Sequence, residues 1–424
     1  MNRTSRWVAL TAAVGAMAIP VAGRAQDSIE QDSGRMWDIV NQFIVGYDDN
    51  IYQTPEHQDD SFKISDALIL SLDVKKPTRY FSLRYRPQYT WWEKKEPDNT
   101  DWSHVFSLVW TEEVSRKLSL SFIDSFTYVD EPELIGADGS IARADNAYLY
   151  NTGTLTARFS PKPTLDGDAS VRYAMLRYEE DRQAEREDYD LWVFGLTGRD
   201  LVRKDLTALV DVRYENLIYR DAGLDQEVFM AFPGATNQND VTTQVPDRGS
   251  DTWQFGLGLQ KTFSPSLVST LRGGWMYKQY EAANTENEDA PYVDLQLTKS
   301  VSLRTQFALS AGYSLYRSDV LTYAGQTRYN GSASVLHDLT AKIRVGGGLT
   351  YVHSEYNAEQ SVVELDEVQV QDGSEDAFYA TLTASYEVDL ANSIEASYTF
   401  SDLSSDVQQD FERNQYRLGW RLRL

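Results

Sequence analysis

Side chains that alternate between apolar and polar, in segment after segment, restrict this chain to β-strands with two unlike faces. In Trp37-Asp38-Ile39-Val40-Asn41-Gln42-Phe43-Ile44-Val45-Gly46-Tyr47 the odd positions are mostly large and apolar. In Phe81-Ser82-Leu83-Arg84-Tyr85-Arg86-Pro87-Gln88-Tyr89-Thr90-Trp91 they are so again, and the even positions are polar. Tyr416-Arg417-Leu418-Gly419-Trp420-Arg421-Leu422-Arg423-Leu424 alternates without a break. Successive side chains of a strand point to opposite faces, so each segment carries an apolar row backed by a charged row. A soluble sandwich would leave that charged row on one side of every strand unburied. A closed barrel in a lipid bilayer uses both rows, one toward lipid and one toward water.

Strands are expected near 36–48, 62–74, 79–92, 102–112, 117–129, 147–159, 165–178, 188–199, 206–219, 252–261, 267–280, 291–298, 302–316, 327–337, 343–353, 377–388, 393–401 and 414–424. The reading is all-β: a transmembrane antiparallel up-and-down barrel of about 18 strands, or 16 if the short segment 291–298 fails. Short links such as Lys75-Lys76-Pro77-Thr78, Ser160-Pro161-Lys162-Pro163-Thr164, Phe263-Ser264-Pro265-Ser266 and Asp389-Leu390-Ala391-Asn392 alternate with long ones at 49–61, 130–146, 220–251, 317–326, 354–376 and 402–413. That is the pattern of periplasmic turns and external loops. Tyr47, Trp91, Trp102, Tyr128, Tyr189, Trp253, Tyr277, Tyr313, Tyr329, Tyr351, Tyr398 and Tyr416 fall at the long-loop ends on the apolar parity, as an aromatic girdle would. Asp124 and His104 fall on the same parity and read as misfits, which a β-bulge resetting the register would repair.

The N-terminus reads as an export signal. Arg3 and Arg6 precede an apolar run from Trp7 to Val21, and Gly23-Arg24-Ala25 offers small residues for cleavage. The expected organisation is a signal peptide at 1–25, a short periplasmic segment at 26–35 and the barrel at 36–424. Such a barrel would sit in the outer membrane of a Gram-negative-type cell, with membrane lipid, lipopolysaccharide and the barrel-assembly machinery as its partners. Residues 26–35 leave no room for a plug domain of the TonB-dependent kind. The formal charge of −24 argues against nucleic acid, whose phosphates are bound by Lys and Arg. The chain contains no cysteine, hence no disulfide framework and no thiolate site.

Opposite the apolar parity lie Arg84, Arg86, Arg172, Arg213, Arg272, Arg304, Arg344, Arg417 and Arg421, with the acids Asp38, Asp166, Asp168, Asp211, Glu215, Glu387 and Glu395. They read either as the lining of a charged water-filled channel or as ion pairs that satisfy one another. Closure brings the last strand beside the first, so Arg84, Arg86, Arg417 and Arg421 are expected to form one basic wall. The apolar Phe229, Phe232 and Pro233 make loop 220–251 the expected constriction, with loop 354–376 second. The four histidines His57, His104, His337 and His353 are scattered, and only His353-Ser354 resembles half a hydrolytic pair. No enzyme and no cofactor is therefore expected.

The segment Val45-Gly46-Tyr47-Asp48-Asp49-Asn50-Ile51-Tyr52-Gln53-Thr54, followed by Asp59-Asp60-Ser61-Phe62 and Leu68-Ile69-Leu70-Ser71-Leu72, resembles the opening of the β-barrel porins of the second type. The resemblance implies a Tyr-rich outer-membrane barrel. It also implies a role in moving polysaccharide or small solutes, since members are often found beside exopolysaccharide genes. It supplies no catalytic residues. In physical terms Tyr47-Asp48-Asp49-Asn50 is a strand end entering a turn whose Asp and Asn side chains bond the local backbone. A Ca²⁺ site from Asp48, Asp49 and Asp59, with Asp60 beside them, is the other reading. Two functions remain open: a channel for saccharides or other small hydrophilic solutes, which includes exopolysaccharide export, and a structural or adhesive barrel that presents acidic external loops.

Overall fold

The computed structural model describes residues 36–424 apart from 57, 97, 130–146, 181–186, 221–224, 230–239, 245–246, 283–284, 319, 321–322 and 359–370. The expected signal peptide and periplasmic segment lie outside the described residues. The strands are β1 (Trp37–Asp48), β2 (Ser61–Lys76), β3 (Arg79–Trp92), β4 (Thr100–Ser115), β5 (Leu118–Val129), β6 (Tyr148–Lys162), β7 (Leu165–Tyr178), β8 (Tyr189–Arg203), β9 (Leu206–Tyr219) and β10 (Asp225–Phe229). They continue with β11 (Asp240–Gln244), β12 (Ser250–Ser264), β13 (Leu267–Tyr280), β14 (Glu288–Ser302), β15 (Thr305–Arg317), β16 (Gly325–Asp338), β17 (Ile343–Tyr356), β18 (Gly373–Glu387), β19 (Asn392–Ser405) and β20 (Phe411–Arg423).

β10 and β11 form a separate two-stranded hairpin, and the other strands form one 18-stranded sheet. Every consecutive pair in that sheet is antiparallel, and β1 pairs with β20 from Val40↔Arg423 to Asp48↔Gln415. The sheet is therefore a closed barrel. Closure matters because an unpaired backbone group in lipid costs several kcal/mol. Each expected strand has its counterpart. The doubtful segment 291–298 is the middle of the full-length β14, so the count of 16 is not needed.

The apolar row faces outward. Leu257, Leu196, Trp253, Phe255, Leu418 and Trp420 are exposed on the outer surface, whereas inward Thr252, Ser354 and Gln42 are buried. Outward aromatics meet in pairs near the long-loop ends, as in Tyr89–Trp102 at 5.0 Å, Tyr214–Trp253 at 4.7 Å, Tyr313–Tyr329 at 4.8 Å and Tyr398–Tyr416 at 4.9 Å. Tyr189 is the exception to the expected girdle. It starts β8 on the inward parity, with Leu191 and Val193, and is buried in the interior.

The bulges expected at Asp124 and His104 are absent. β4 and β5 keep one register from Ser103↔Val129 to Glu113↔Ser119, so both residues face outward. The register shifts that do occur, at Glu113/Ser115, Phe159/Lys162, Leu201/Arg203, Thr262/Ser264 and Ser300/Ser302, all adjoin short turns. Bulges there help turn the chain where twist is greatest and leave mid-strand parity untouched.

Glycine is required where a side chain reaches across the inner wall. The Tyr292 hydroxyl passes from β14 over Gly256 of β12 to donate to Asp211 of β9 at 3.0 Å. A Cβ on Gly256 would lie 1.7 Å from that hydroxyl.

Candidate functional site in the lumen

The inner wall carries the charges that sequence parity placed there. Arg84, Arg86, Arg172, Arg213, Arg272, Arg344, Arg417, Arg421, Asp211 and Glu215 all sit at inward positions of their strands. Arg304 does not. It occupies the turn between β14 and β15 and is exposed there, because β15 begins at Thr305 rather than at 302.

Ion pairing is uneven along the wall. Toward the short-turn end the charges are matched. Arg158 donates to Asp168 at 2.7 and 3.0 Å, and Arg199 bridges Asp168 at 2.6 Å and Asp166 at 2.9 Å. Arg344 meets Asp338 at 2.6 Å, and Arg423 meets Asp38 at 3.0 Å. Higher up, Arg213 meets Glu215 of its own strand at 2.8 Å. Arg172, Arg272 and Arg417 take part in no hydrogen bond or ion pair among the described residues, and Arg417 is exposed to the interior. The ion-pair reading thus describes the charges near the short turns, and the charges higher up are less completely matched.

Of the expected basic wall, Arg86 and Arg421 meet around one acid near the closure of β1 and β20, whereas Arg84 and Arg417 stand at different depths, opposite Ser71 and Gly46. Arg86 donates to Gln88 at 2.9 Å and to Gln42 at 3.5 Å. Gln42 in turn donates to Glu395 at 3.1 Å, and Arg421 lies 3.8 Å from the same carboxylate. Glu395 is thus approached by Arg421 directly and linked to Arg86 through the Gln42 amide.

The outer mouth is narrowed by a segment that sequence reading did not single out. The end of β15 turns inward, and Leu315 packs with the inward Met276, Ala290 and Tyr292. Lys278 donates to the Tyr316 carbonyl at 3.0 Å, and Gln326 donates to the Arg317 carbonyl at 2.8 Å. The Arg317 guanidinium then stacks on Tyr189 at 4.2 Å. In the sheet β8 and β15 are separated by β9, β12, β13 and β14, so this contact spans a chord of the lumen. Arg248 adds a second cation from the loop before β12. It stacks on Tyr219 at 4.4 Å and pairs with Glu187 at 3.1 Å. Burial alone would lower the Arg248 pKa, but the Glu187 carboxylate holds it above the ordinary value. The expected constriction residues Phe232 and Pro233 lie outside the described residues, as does the side chain of Phe229. The apolar Val320 and Tyr323, buried against Tyr356, were the available signal in the β15–β16 loop.

The first-hairpin motif proves to be a clasp. Asp48 is fully buried and receives Arg413 at 2.9 and 2.5 Å and Gln415 at 2.8 Å. Asp49 accepts from the Asn414 backbone at 2.6 Å and side chain at 2.8 Å. Asn50 donates to the carbonyls of Thr54 and Glu412, each at 2.8 Å. The turn is shaped by its own side chains, as Asn50 N–H to Asp48 at 3.3 Å shows, and it also ties β1 to β20. The calcium reading is not assembled: Asp48 and Asp49 are committed to Arg413 and Asn414, and no metal-ligand cluster occurs among the described residues.

The histidines do not form a catalytic pair among the described residues. His353 faces outward and meets Asp376 at 2.8 Å, whereas Ser354 faces inward and is buried. His337 shares a hydrogen bond with Thr305 at 2.8 Å, His104 lies on the outer surface, and His57 is outside the described residues.

A closed antiparallel barrel with an apolar exterior, an aromatic girdle and a charged interior is an outer-membrane β-barrel of porin type. Residues 225–424 match the family model described as putative beta-barrel porin 2, the family that the first hairpin, outside the matched range, resembles. Both place the chain in the outer membrane. No curated protein matches it. Solved structures similar to it include Acinetobacter baumannii OccAB4, with TM-score 0.47, 10% identity and coverage of 92% of this chain and 99% of that one. Pseudomonas aeruginosa OccK2 (OpdF) gives TM-score 0.47 and 11% identity over 92% of this chain and 98% of that one. Pseudomonas aeruginosa OccK3 (OpdO) gives 0.44 and 12% over 92% and 96%.

Proposed function

We propose that the barrel is a diffusion channel for saccharides or other small hydrophilic solutes, narrowed at its outer mouth by the β15–β16 loop. The observation that carries this reading is the inward Arg417, exposed to the interior, with Arg172 and Arg272, which face Glu215 and Asp294 electrostatically but close no hydrogen bond or ion pair with them among the described residues. Charges kept only for wall stability would be paired, as those near the short turns are. Unpaired guanidinium groups in a water-filled lumen hydrogen-bond hydroxyls and attract carboxylates or other anions. The family resemblance favours polysaccharide as the cargo, which would make the chain part of exopolysaccharide export. Liposomes carrying the folded protein should swell in isosmotic monosaccharide and uronate solutions faster than empty liposomes. Equal swelling would leave the barrel as a structural or adhesive element that presents its acidic loops.

A further inference from the structure

The outer surface is not uniform around the barrel. Consider the outward side chains that stand at least four residues from either end of their strand, where the wall meets hydrocarbon. On β6 to β9 and β12 to β20 these are apolar, tyrosine, tryptophan or glycine throughout. On β1 to β5 they include Asn41, Asp66, His104 and Asp124. By this count the carboxylates and the imidazole fall on five adjacent strands, and the outward Asn151 of β6, three residues from its strand end, adjoins them as the partner of Asp124.

Their hydrogen bonding is incomplete. Asp66 receives one hydrogen bond, from Asn41 at 2.7 Å. Asp124 is served by a side chain from Asn151 alone, at 3.3 and 3.4 Å. His104 uses Nδ1 with the Tyr85 hydroxyl at 2.9 Å, and its Nε2 has no partner. The imidazole lies flat against its neighbours, with interplanar angles of 3° to Tyr85 and 7° to Trp102. Lipid acyl chains offer nothing to these groups, and the anionic lipopolysaccharide headgroup would be repelled by the carboxylates.

We infer that the β1–β5 face is the interface through which this barrel associates with a second copy of itself. A partner for this arc must be membrane-embedded and must present donors and acceptors at the same depth. This chain meets both conditions. Asp66, His104 and Asp124 lie four or five residues below the outer ends of their strands at Ser61, Thr100 and Val129, all in the outer half of the wall, with Asp124 the deepest, opposite Leu108. Copies inserted with the same orientation are related by an axis along the membrane normal, which preserves depth. Rotation about such an axis brings the carboxylates of one copy against the imidazole of the other. Phe43, Phe62, Ile64 and Tyr89, exposed around these groups, supply the apolar rim.

The test is native mass spectrometry of the full chain released from lipid nanodiscs, beside unheated and boiled gel samples that report folding. Wild type should appear as an oligomer. Asp66→Leu/Asp124→Leu, which only makes the surface more lipid-like, should remain heat-modifiable and associate at least tenfold more weakly. Because the chain has no cysteine, Leu68→Cys and Phe106→Cys, alone and mixed, should cross-link between chains with a short bismaleimide, and Leu257→Cys on β12 should not. A monomeric wild type would overturn the inference. So would undiminished association of the double leucine variant, cross-linking through Leu257→Cys alone, or a different protein held at this face.

Discussion

Arg413→Ala should open the clasp that joins β1 to β20. Asp48 has no exposed surface and is held by two hydrogen bonds from the Arg413 guanidinium, one from Gln415, and Lys63 at 4.0 Å. Breaking a buried ion pair by removing one partner costs about 3–5 kcal/mol, since the remaining charge is left poorly compensated. Lys63 and Gln415 stay in place, so the lower end, about 3 kcal/mol, is expected here. That is roughly a hundredfold in the folding equilibrium. Reversible urea unfolding in micelles, followed by tryptophan emission, measures it. The cycle with Asp48→Asn should show strong coupling, because the double variant removes both charges together. A cost below about 1 kcal/mol, or additive single and double variants, would refute the claim that this pair locks the barrel seam.

Other outcomes follow from the same geometry. Arg317→Ala removes a stacking contact worth about 1–2 kcal/mol when desolvated and should free the β15–β16 loop, raising single-channel conductance; unchanged conductance would mean the loop does not narrow the path. Deleting residues 416–424 strips β20 from both its neighbours and leaves strand edges in lipid, so the truncated chain should fail to assemble, as absence from the outer-membrane fraction would show. Gly256→Val should destabilise the barrel by about 1–3 kcal/mol in the same urea assay, since the new side chain displaces the Tyr292 hydroxyl from Asp211.

The barrel was legible because period-2 alternation is a local signal that survives in every strand. The strand register puts Arg84, Arg172 and Arg417 on the face opposite the apolar row, since facing follows from position alone. Arg304 was misplaced because a two-residue turn at Leu303-Arg304 replaces the strand end assumed there. Tyr189 was assigned by composition, as an aromatic near a loop, although its own parity opposes Trp192 and Phe194. Pairing escaped sequence reading altogether. Arg413 and Asp48 meet only because the barrel closes, and Arg317 reaches Tyr189 only across the lumen. Asp124 and His104 looked like errors of register, yet the register is intact. Their polarity belongs to a surface property that no single strand displays.

Planar-bilayer recording tests the channel account most directly. Wild-type barrels should insert with discrete conductance steps. Replacing Arg84, Arg86, Arg417 and Arg421 together by Gln should shift the reversal potential toward cations while the protein stays heat-modifiable. Folded wild type that gives no steps, or a quadruple variant with unchanged conductance and selectivity, would contradict a solute path lined by these arginines.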